Sequence, residues 1–471
     1  MTTTSAAAAG SSTDRAAASR MAQFKDWVSL EQGCDLPDYQ ALWAWSVDEL
    51  EEFWAAVGRF FAVEGIAADA PVLASAEMPG ATWFPGASVS FAREVFRQAD
   101  PSRPALVHVS ETGAAQTWSW ERLLRETHAV ASWLRVAGVG PSDRVVGYLG
   151  NRPEALTCLL ACAAVGATWA VCNQDVSAEG AAVRFAQLEP TVLLTATRSR
   201  YGGRELQHGP AIEALVDALP SLTHVLLVGT DAAELGRPTV SWADALATPV
   251  TGPLCVDVPF EHPLWVLFSS GTTGAPKGLV HGHGGTLLQQ LAALGLHFDV
   301  QPGDRFFWFC STSWVMWNLQ VSSLLLGATA VLYDGSPTFP DASAVWRVAA
   351  AHRVTHLGVS PGLLALAEKQ GHVPAVDHDL SALRVLGVTG APLPATTARW
   401  ARTGFGVPLN VISGGTDVAT AFVGASPLLP EPAPGRMGPP WLGVAARTVD
   451  DRGEPVLGEV GELVITKPMP S

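Results

Sequence analysis

Short apolar runs that end in small or polar residues recur from residue 144 to residue 417, and this recurrence constrains the fold more than any other feature. Helical apolar patterns separate several of the runs, and strands that alternate with helices predict a mostly parallel sheet covered on both faces. The predicted strands cover residues 144–149, 168–172, 192–195, 224–228, 264–268, 305–310, 329–333, 355–359, 383–388 and 409–412. Because ligands of such sheets bind beyond the carboxyl ends of the strands, the residues after each run are candidate site residues.

The flanking segments differ in composition from this α/β region. Residues 1–20 are small and polar and are predicted to be a disordered tail, and the tryptophan-rich residues 21–89 are predicted to be an N-terminal extension fastened by its aromatic side chains. Residues 90–430 are predicted to form the main α/β domain. Residues 431–471 are predicted to begin a β-rich subdomain, since a Pro- and Gly-rich stretch there leads into short strands over 444–465. Helices are predicted over residues 48–54, 118–138 and 153–166.

Composition excludes several classes of function. The 471 residues carry a formal charge of −15, and an acidic surface repels phosphate backbones, so nucleic acid is excluded as a partner. The six cysteines form no CxxC pair and no zinc-like cluster, which fits a reducing cytoplasm. No apolar stretch is long enough for a membrane span, and the first 20 residues lack the apolar core of a secretory signal. The sequence leaves the oligomeric state open.

Residues 269–278, Ser-Ser-Gly-Thr-Thr-Gly-Ala-Pro-Lys-Gly, are the densest polar cluster that follows a predicted strand. Glycines let backbone N–H groups approach a ligand, hydroxyls donate hydrogen bonds, and Lys277 supplies a mobile positive charge. The stretch is not a Walker A loop, because Pro precedes Lys277 and Gly follows it. The pattern predicts a polyphosphate site.

This stretch resembles the signature phosphate loop of the acyl-adenylate-forming (AMP-forming) acyl-CoA synthetases. The resemblance covers roughly residues 30–471, and it implies a large adenylate-forming N-terminal domain with stacked α/β subdomains of mostly parallel sheet and a small β subdomain. It also implies that ATP and coenzyme A are substrates, that Mg²⁺ is the metal, and that a carboxylic acid is activated as its adenylate. By the same resemblance, residues 21–89 are the extension typical of acetyl- and acetoacetyl-activating members.

The resemblance assigns roles to the residues that match the family's motifs. The phosphate loop would bind the β- and γ-phosphates, and the Gly390-Ala391-Pro392 turn would lie on the adenine. Ser413, Gly415 and Thr416 would also bind the nucleotide, with Thr416 hydrogen-bonded to the α-phosphate. Asp417 would ligate Mg²⁺, at a position where the family more often has Glu. The phosphate-binding residues are Ser269, Ser270, Gly271, Thr272, Thr273, Gly274 and Lys277, and the implied catalytic residues are Thr272, Lys277, Thr416 and Asp417.

The acid would be bound by Trp314, Val315, Met316, Thr389 and Gly414. In the acetate-activating branch a Trp two positions before the motif's Thr closes this pocket, and Gly414 occupies that position here. The resemblance therefore implies an acid longer than acetate, and the neighbouring motifs are most similar to those of the acetoacetate-activating branch. Two alternatives stay open: a ligase for another short-chain acid, and a non-catalytic nucleotide-binding fragment. The nearby His281 and His283 are predicted to be local positioning residues, since no third metal ligand accompanies them.

The resemblance also concerns the end of the chain. Family members continue beyond the equivalent of Ser471 into a ribose-binding Asp, a hinge and a C-terminal lid domain on the order of 100 residues. That domain carries the lysine used for adenylation. On this basis we expect the lid domain to be absent from the 471 residues, and we expect these residues alone to adenylate poorly.

Overall fold

Two seven-stranded sheets form the frame of the protein in this computed structural model, which describes residues 16–67, 71–229, 235–269, 274 and 276–471. The first sheet has the strand order β12-β11-β8-β6-β7-β14-β15. In chain order its strands are β6 (Arg144–Tyr148), β7 (Thr168–Cys172), β8 (Val192–Ala196), β11 (His224–Val228), β12 (Thr239–Ser241), β14 (Pro263–Ser269) and β15 (Lys277–Gly282). Neighbouring strands are parallel except at the edge, where β15 runs antiparallel to β14.

The second sheet repeats this plan, with the order β20-β19-β18-β16-β17-β4-β5. Its strands are β4 (Pro104–Ser110), β5 (Ala115–Ser119), β16 (Arg305–Trp308), β17 (Thr329–Asp334), β18 (His356–Val359), β19 (Val385–Val388) and β20 (Leu409–Val411). Here too only the edge pair, β4 with β5, is antiparallel. The predicted α/β class with stacked, mostly parallel sheets is confirmed.

Five antiparallel ribbons complete the strand inventory of the described residues. They pair β1 (Leu73–Ser75) with β2 (Thr82–Trp83), β3 (Ser88–Val89) with β13 (Val258–Pro259), β9 (Arg198–Tyr201) with β10 (Arg204–Gln207), β21 (Ser413–Gly415) with β22 (Thr420–Val423), and β23 (Ala446–Val449) with β24 (Glu462–Ile465). The last pair contains the short strands predicted between residues 444 and 465.

Helices flank both sheets. They are α1 (Arg20–Gln32), α2 (Tyr39–Asp48), α3 (Leu50–Phe60), α4 (Phe91–Phe96), α5 (Trp120–Val136), α6 (Pro153–Val165), α7 (Ala178–Phe185), α8 (Gly209–Ala218), α9 (Trp242–Leu246), α10 (His283–Gln290), α11 (Val315–Ser322), α12 (Ala344–Ala351), α13 (Pro361–Lys369), α14 (Pro374–Asp377) and α15 (Ala395–Phe405). A π-helical segment, Leu291–His297, continues α10, and 3₁₀ turns cover Ala186–Leu188, Ser323–Leu326 and Thr416–Val418. In the part of the chain that the structure describes, none of the helices has the length and apolar character needed to cross a membrane.

Two predicted helix boundaries are wrong. Trp118 does not begin a helix, because it lies in β5 opposite Leu106, and Ser119 then caps α5 by accepting a hydrogen bond from the Arg122 amide. The helix predicted over residues 48–54 is divided between α2, which ends at Asp48, and α3, which begins at Leu50. β5 contains the first two residues of one predicted helix, and Glu49, with φ of −103° and ψ of 56°, interrupts the other.

The N-terminal helices pack onto the segment that precedes β23. The Tyr39 hydroxyl donates to the Pro440 carbonyl at 2.6 Å, and the Trp43 indole N–H donates to the Val444 carbonyl at 3.2 Å. Phe53 makes edge contacts with Phe24 and Trp54, with ring centroids 6.0 and 4.9 Å apart. The ring contacts hold the N-terminal helices together, and the hydrogen bonds from Tyr39 and Trp43 attach these helices to residues 440–444.

The loop after β16 joins the two sheets. Thr312 donates to the Leu149 carbonyl at 2.9 Å, just beyond β6, and the Ser313 hydroxyl accepts from the Asn173 amide at 2.8 Å, just beyond β7. The Trp317 indole N–H donates to the Asn151 side-chain oxygen at 3.0 Å. The carboxyl ends of strands from both sheets therefore meet at this loop, where sequence patterns place the candidate site.

Candidate active site

The predicted phosphate loop connects the last two strands of the first sheet. Ser269 ends β14 and is paired with Lys277, which begins β15. Lys277 is exposed, and no ion pair to it is found within the described residues. Ser270, Gly271, Thr272 and Thr273 lie outside the described residues, so their predicted contacts stay predictions. Gly274 is described and exposed.

A cavity of about 470 Å³ lies at the carboxyl edge of the second sheet. It brings together three segments that are separated in the sequence: the loop after β16 that contains Trp314, the turn after β19 and the Gly-rich segment after β20. The site residues predicted from sequence that line it are Trp314, Val315, Met316, Thr389, Gly390, Ala391, Pro392, Ser413, Gly414, Gly415 and Thr416. Ser269, Gly274, Lys277 and Asp417 do not line this cavity.

The turn after β19 has a backbone that favours glycine. Gly390 has φ of 101°, a conformation that costs other residues strain. The Trp314 ring lies 3.5 Å from the place where a Cβ of Gly390 would be, so the turn forms a flat wall beside the indole. The Thr389 hydroxyl donates to the Ile412 carbonyl at 2.8 Å and ties the ends of β19 and β20 together.

Gly414 lies in the tight β21–β22 ribbon. A Cβ at this position would lie 2.1 Å from the Thr420 carbonyl oxygen and 2.7 Å from the Ala421 Cα. The backbone itself therefore occupies the space that a side chain would need. Gly414 is required by this close approach, in addition to leaving the cavity open on its side.

Thr416 and Asp417 are consecutive residues of a 3₁₀ turn, but they face different spaces. Thr416 is half-buried and lines the 470 Å³ cavity, whereas Asp417 is exposed and lines a second cavity of about 730 Å³. The turn lies beside β14, with Cα atoms of the two elements within 8 Å of each other. It is therefore close to the strand that leads into the phosphate loop.

Asp417 is the candidate metal ligand, and it can be tested against the chemistry of Mg²⁺. Among the described residues no group of three His, Cys, Asp or Glu side chains is arranged to hold a metal. Mg²⁺ does not need such a cage when phosphate oxygens and waters complete its shell around one or two carboxylates. A single exposed carboxylate next to Thr416 fits that mode of binding.

His281 connects β15 to this turn. Its Nε2 lies 2.9 Å from the Thr416 carbonyl, which can only accept, so Nε2 carries the proton. Its Nδ1 then accepts from the Ser471 hydroxyl at 2.7 Å. Burial lowers the pKa of His281, partly opposed by the Thr416 carbonyl and the Asp417 carboxylate. The imidazole is therefore neutral near pH 7 and acts as a fixed bridge.

His283, two residues further on, has a different environment. Its Nδ1 accepts from the Phe91 amide at 3.3 Å, and burial next to the ring of His262 lowers its pKa to about 3. The side chain is fully buried at the start of α10. It supports the packing of α4 against α10 and lines neither cavity.

Arg436 and Trp441 are two of the cavity residues that were not predicted from the sequence. Arg436 is the one charged side chain in the described lining of the 470 Å³ cavity, and it is exposed. Trp441 also lines the cavity and stacks on His297 at the end of the π-helical segment, with ring centroids 4.3 Å apart. Both lie in or next to the Pro- and Gly-rich stretch that pattern analysis treats as a connection. The one sequence feature that could have indicated Arg436 as a cavity residue is a single arginine among small residues.

Comparison with known proteins identifies the family. The family model described as "AMP-binding enzyme" matches residues 93–470. This chain belongs to the AMP-binding enzyme family. The match spans both large sheets and every segment that lines the 470 Å³ cavity.

Individual relatives of this AMP-binding enzyme are similar over nearly all of its length. The acetoacetyl-coenzyme A synthetase of Rhizobium meliloti (strain 1021) is 38% identical over an alignment of 460 positions, which covers 96% of this chain and 70% of the relative. The malonamoyl-CoA synthetase vrtB of Penicillium aethiopicum is 33% identical over an alignment of 481 positions, which covers 94% of this chain and 66% of the relative.

A solved structure has the same fold. The acetoacetyl-CoA synthetase from Streptomyces lividans superposes with a TM-score of 0.92 at 44% identity, covering 97% of this chain and 72% of that one. This AMP-binding enzyme therefore spans about 70% of the length of these acetoacetyl-CoA synthetases.

Proposed function

We propose that this AMP-binding enzyme activates acetoacetate with ATP, forming acetoacetyl-AMP and pyrophosphate, and then transfers the acyl group to coenzyme A with release of AMP. The observation that carries the proposal is the single 470 Å³ cavity in which the Gly390 turn, Thr416 and the Trp314 loop meet. The acid specificity is inferred from the relatives, two of which carry the name acetoacetyl-CoA synthetase.

The first step forms one bond and breaks another at the α-phosphorus. A carboxylate oxygen attacks that phosphorus, the bond to the bridging oxygen breaks, and pyrophosphate leaves. Negative charge on the phosphates must be offset, and groups already fixed in place do this most effectively. In this chain Thr416 would donate to the α-phosphate and Lys277 would offset charge on the outgoing phosphates. Mg²⁺ held by Asp417 would neutralise further phosphate charge when bound.

The second step needs no further phosphate chemistry. The thiol sulfur of coenzyme A attacks the acyl carbon, the bond from that carbon to the phosphate oxygen breaks, and AMP leaves. The thiol proton passes to solvent or to a base.

The wall of the cavity supports a small acyl group. Trp314, Met316 and Trp441 form an apolar side, and Gly390 and Gly414 contribute backbone with no side chain. Arg436 adds one positive charge at the same cavity, which favours anionic ligands. An apolar wall with a single cation suits a short carboxylic acid joined to a nucleotide phosphate.

A ligase for another 3-oxo acid is the second candidate, favoured by the similarity to a malonamoyl-CoA synthetase. Acetoacetate and malonamate differ only in a methyl group against an amide nitrogen, so both fit a cavity of the same size. They differ in hydrogen-bond donors, and a buried donor without a partner is costly. The apolar wall therefore favours acetoacetate.

The test is acid-dependent exchange of labelled pyrophosphate into ATP, measured with acetate, propionate, butyrate, malonamate and acetoacetate. We expect acetoacetate to exceed acetate by about tenfold or more in kcat/KM, the range that one or two extra carbon groups supply in an apolar pocket. Thioester formation with coenzyme A is measured in parallel. Tight AMP binding with no exchange for any acid would favour the nucleotide-binding alternative, and a preference for malonamate would favour the second candidate.

A further inference from the structure

Two buried side chains hold the turn that carries Thr416. At its start, His281 Nε2 donates to the Thr416 carbonyl at 2.9 Å, and at its end Gln290 Nε2 donates to the Ala419 carbonyl at 2.8 Å. His281 lies in β15 and Gln290 is the last residue of α10. The turn is therefore supported at both ends by one continuous stretch of chain.

The backbone of the turn needs such support. Ala419 has φ of 49°, the left-handed region that a residue with a side chain seldom adopts. A conformation of this kind persists only where the surroundings determine it. The hydrogen bond from fully buried Gln290 fixes the Ala419 carbonyl directly.

The same stretch of chain begins at the phosphate loop. Lys277 is the first residue of β15, and His281 follows four positions later in the same strand. A displacement of β15 would therefore move Lys277 and the Thr416 carbonyl together. The phosphate loop and the Thr416 turn share one support although they are far apart in the sequence.

We propose that His281 and Gln290 are positioning residues that hold Thr416 at the place where it meets the α-phosphate. They touch neither the nucleotide nor the acid and act through the two carbonyls of the turn. This inference rests on the proposed function, because it takes the phosphate as the ligand of Thr416.

Gln289 provides a matched control. It precedes Gln290 in α10 and is also buried, but its side-chain amide has no hydrogen-bond partner within the described part of the chain. Gln289→Leu removes a buried amide of the same size without touching the turn. Gln290→Leu removes the amide that holds Ala419.

The experiment compares AMP with adenosine, which lacks the phosphate, by titration calorimetry on the 471-residue chain. In His281→Phe and Gln290→Leu we expect Kd for AMP to rise about tenfold, the loss of one hydrogen bond to a charged group, and Kd for adenosine to stay within about twofold. Gln289→Leu should match the wild type for both ligands. His281→Gln, which retains a donor nitrogen near Nε2, should restore most of the AMP affinity.

The outcomes separate this inference from the proposed function. Thr416→Ala calibrates the assay, because it removes the phosphate contact itself. A wild type that binds AMP no better than adenosine would overturn the proposed function. A wild type and Thr416→Ala that behave as expected, with His281→Phe and Gln290→Leu at wild-type AMP affinity, would overturn the positioning role alone.

A purely structural role has its own signature. Equal losses for AMP and adenosine, together with a lower unfolding midpoint, would show that the two side chains merely stabilise the fold. If Gln290→Leu does not fold, Gln290→Met keeps an unbranched side chain without the donor, and the same comparison applies.

Discussion

Gly414 gives the sharpest prediction, because the resemblance to acetate-activating enzymes and the structure make different demands on it. If Gly414 only lined the cavity, Gly414→Trp should narrow the cavity until acetate is the acid that fits. In the structure, however, a Cβ would lie 2.1 Å from the Thr420 carbonyl oxygen, whereas ordinary contact begins at 3.4 Å. Any side chain must therefore push β22 away by about 1.3 Å, and forced packing of this kind costs about 1–3 kcal/mol.

We therefore expect Gly414→Ala and Gly414→Trp to share a penalty that does not depend on side-chain size. Each should lower the free energy of unfolding by about 1–3 kcal/mol. Each should also raise Kd for AMP several-fold, because the displaced ribbon carries the Thr416 turn. Gly414→Trp should lose exchange with every acid and not gain selectivity for acetate.

Urea unfolding and AMP titration measure the two effects, and Gly209→Ala is the control. Gly209 lies in the first turn of α8 with nothing within 4 Å of the place that a Cβ would occupy, so its replacement should change stability by less than about 1 kcal/mol. A Gly414→Trp variant of wild-type stability that activates acetate would refute this reasoning. It would show that the ribbon rearranges freely.

Three further predictions concern charge. Lys277→Met should raise Kd for ATP about tenfold and leave Kd for AMP within twofold, since the lysine is proposed to meet only the outer phosphates; equal losses would contradict that role. Arg436→Gln should raise Kd for AMP several-fold and make it less dependent on salt concentration, with Kd for adenosine unchanged, in titrations at two ionic strengths. An unchanged salt dependence of Kd for AMP would place the guanidinium away from the ligand. His283→Asn should remove a pH dependence of stability. Burial keeps the pKa of His283 near 3 in the folded protein, against an ordinary value of 6.5. The unfolded chain therefore takes up the proton first as the pH falls. As a result, the free energy of unfolding has its full value above pH 6.5 and falls by about 1.4 kcal/mol per pH unit down to about pH 3. Urea unfolding at pH 7, 6 and 5 measures the slope, and parallel curves for the variant and the wild type would contradict the assignment.

Ten of the fourteen strands in the two large sheets could be predicted, because each is a short apolar run with a clear end, whereas β4, β5, β12 and β15 were not predicted. A strand buried on both faces, such as β17, has almost no polar residue until the sheet edge, where Asp334 follows Tyr333. Three of the segments that line the cavity could also be predicted, because each follows a predicted strand. Parallel strands deliver their carboxyl ends to one edge, so residues as distant in sequence as Trp314 and Gly390 meet without any local pattern that joins them.

Other parts of the site depend on contacts that no local pattern encodes. β21 consists of Ser413, Gly414 and Gly415, which have low strand propensity, and it forms because it pairs with β22. The π-helical segment after α10 has the same apolar character as an ordinary helix. Arg436 is placed at the cavity by the packing of Gly435 against Ala395, a contact across 40 residues of chain.

The separation of Thr416 and Asp417 gives these contacts a mechanistic meaning. Successive residues of a 3₁₀ turn are rotated by about 120°, which agrees with Thr416 and Asp417 lining different cavities. On the proposed function, Thr416 meets the α-phosphate from the side of the acid and adenine, and the Asp417 carboxylate serves the metal from the other side. The reacting phosphorus would then lie at the turn itself, between the two cavities. The turn must therefore be held rigidly, and the hydrogen bonds from His281 and Gln290 support it from outside the turn.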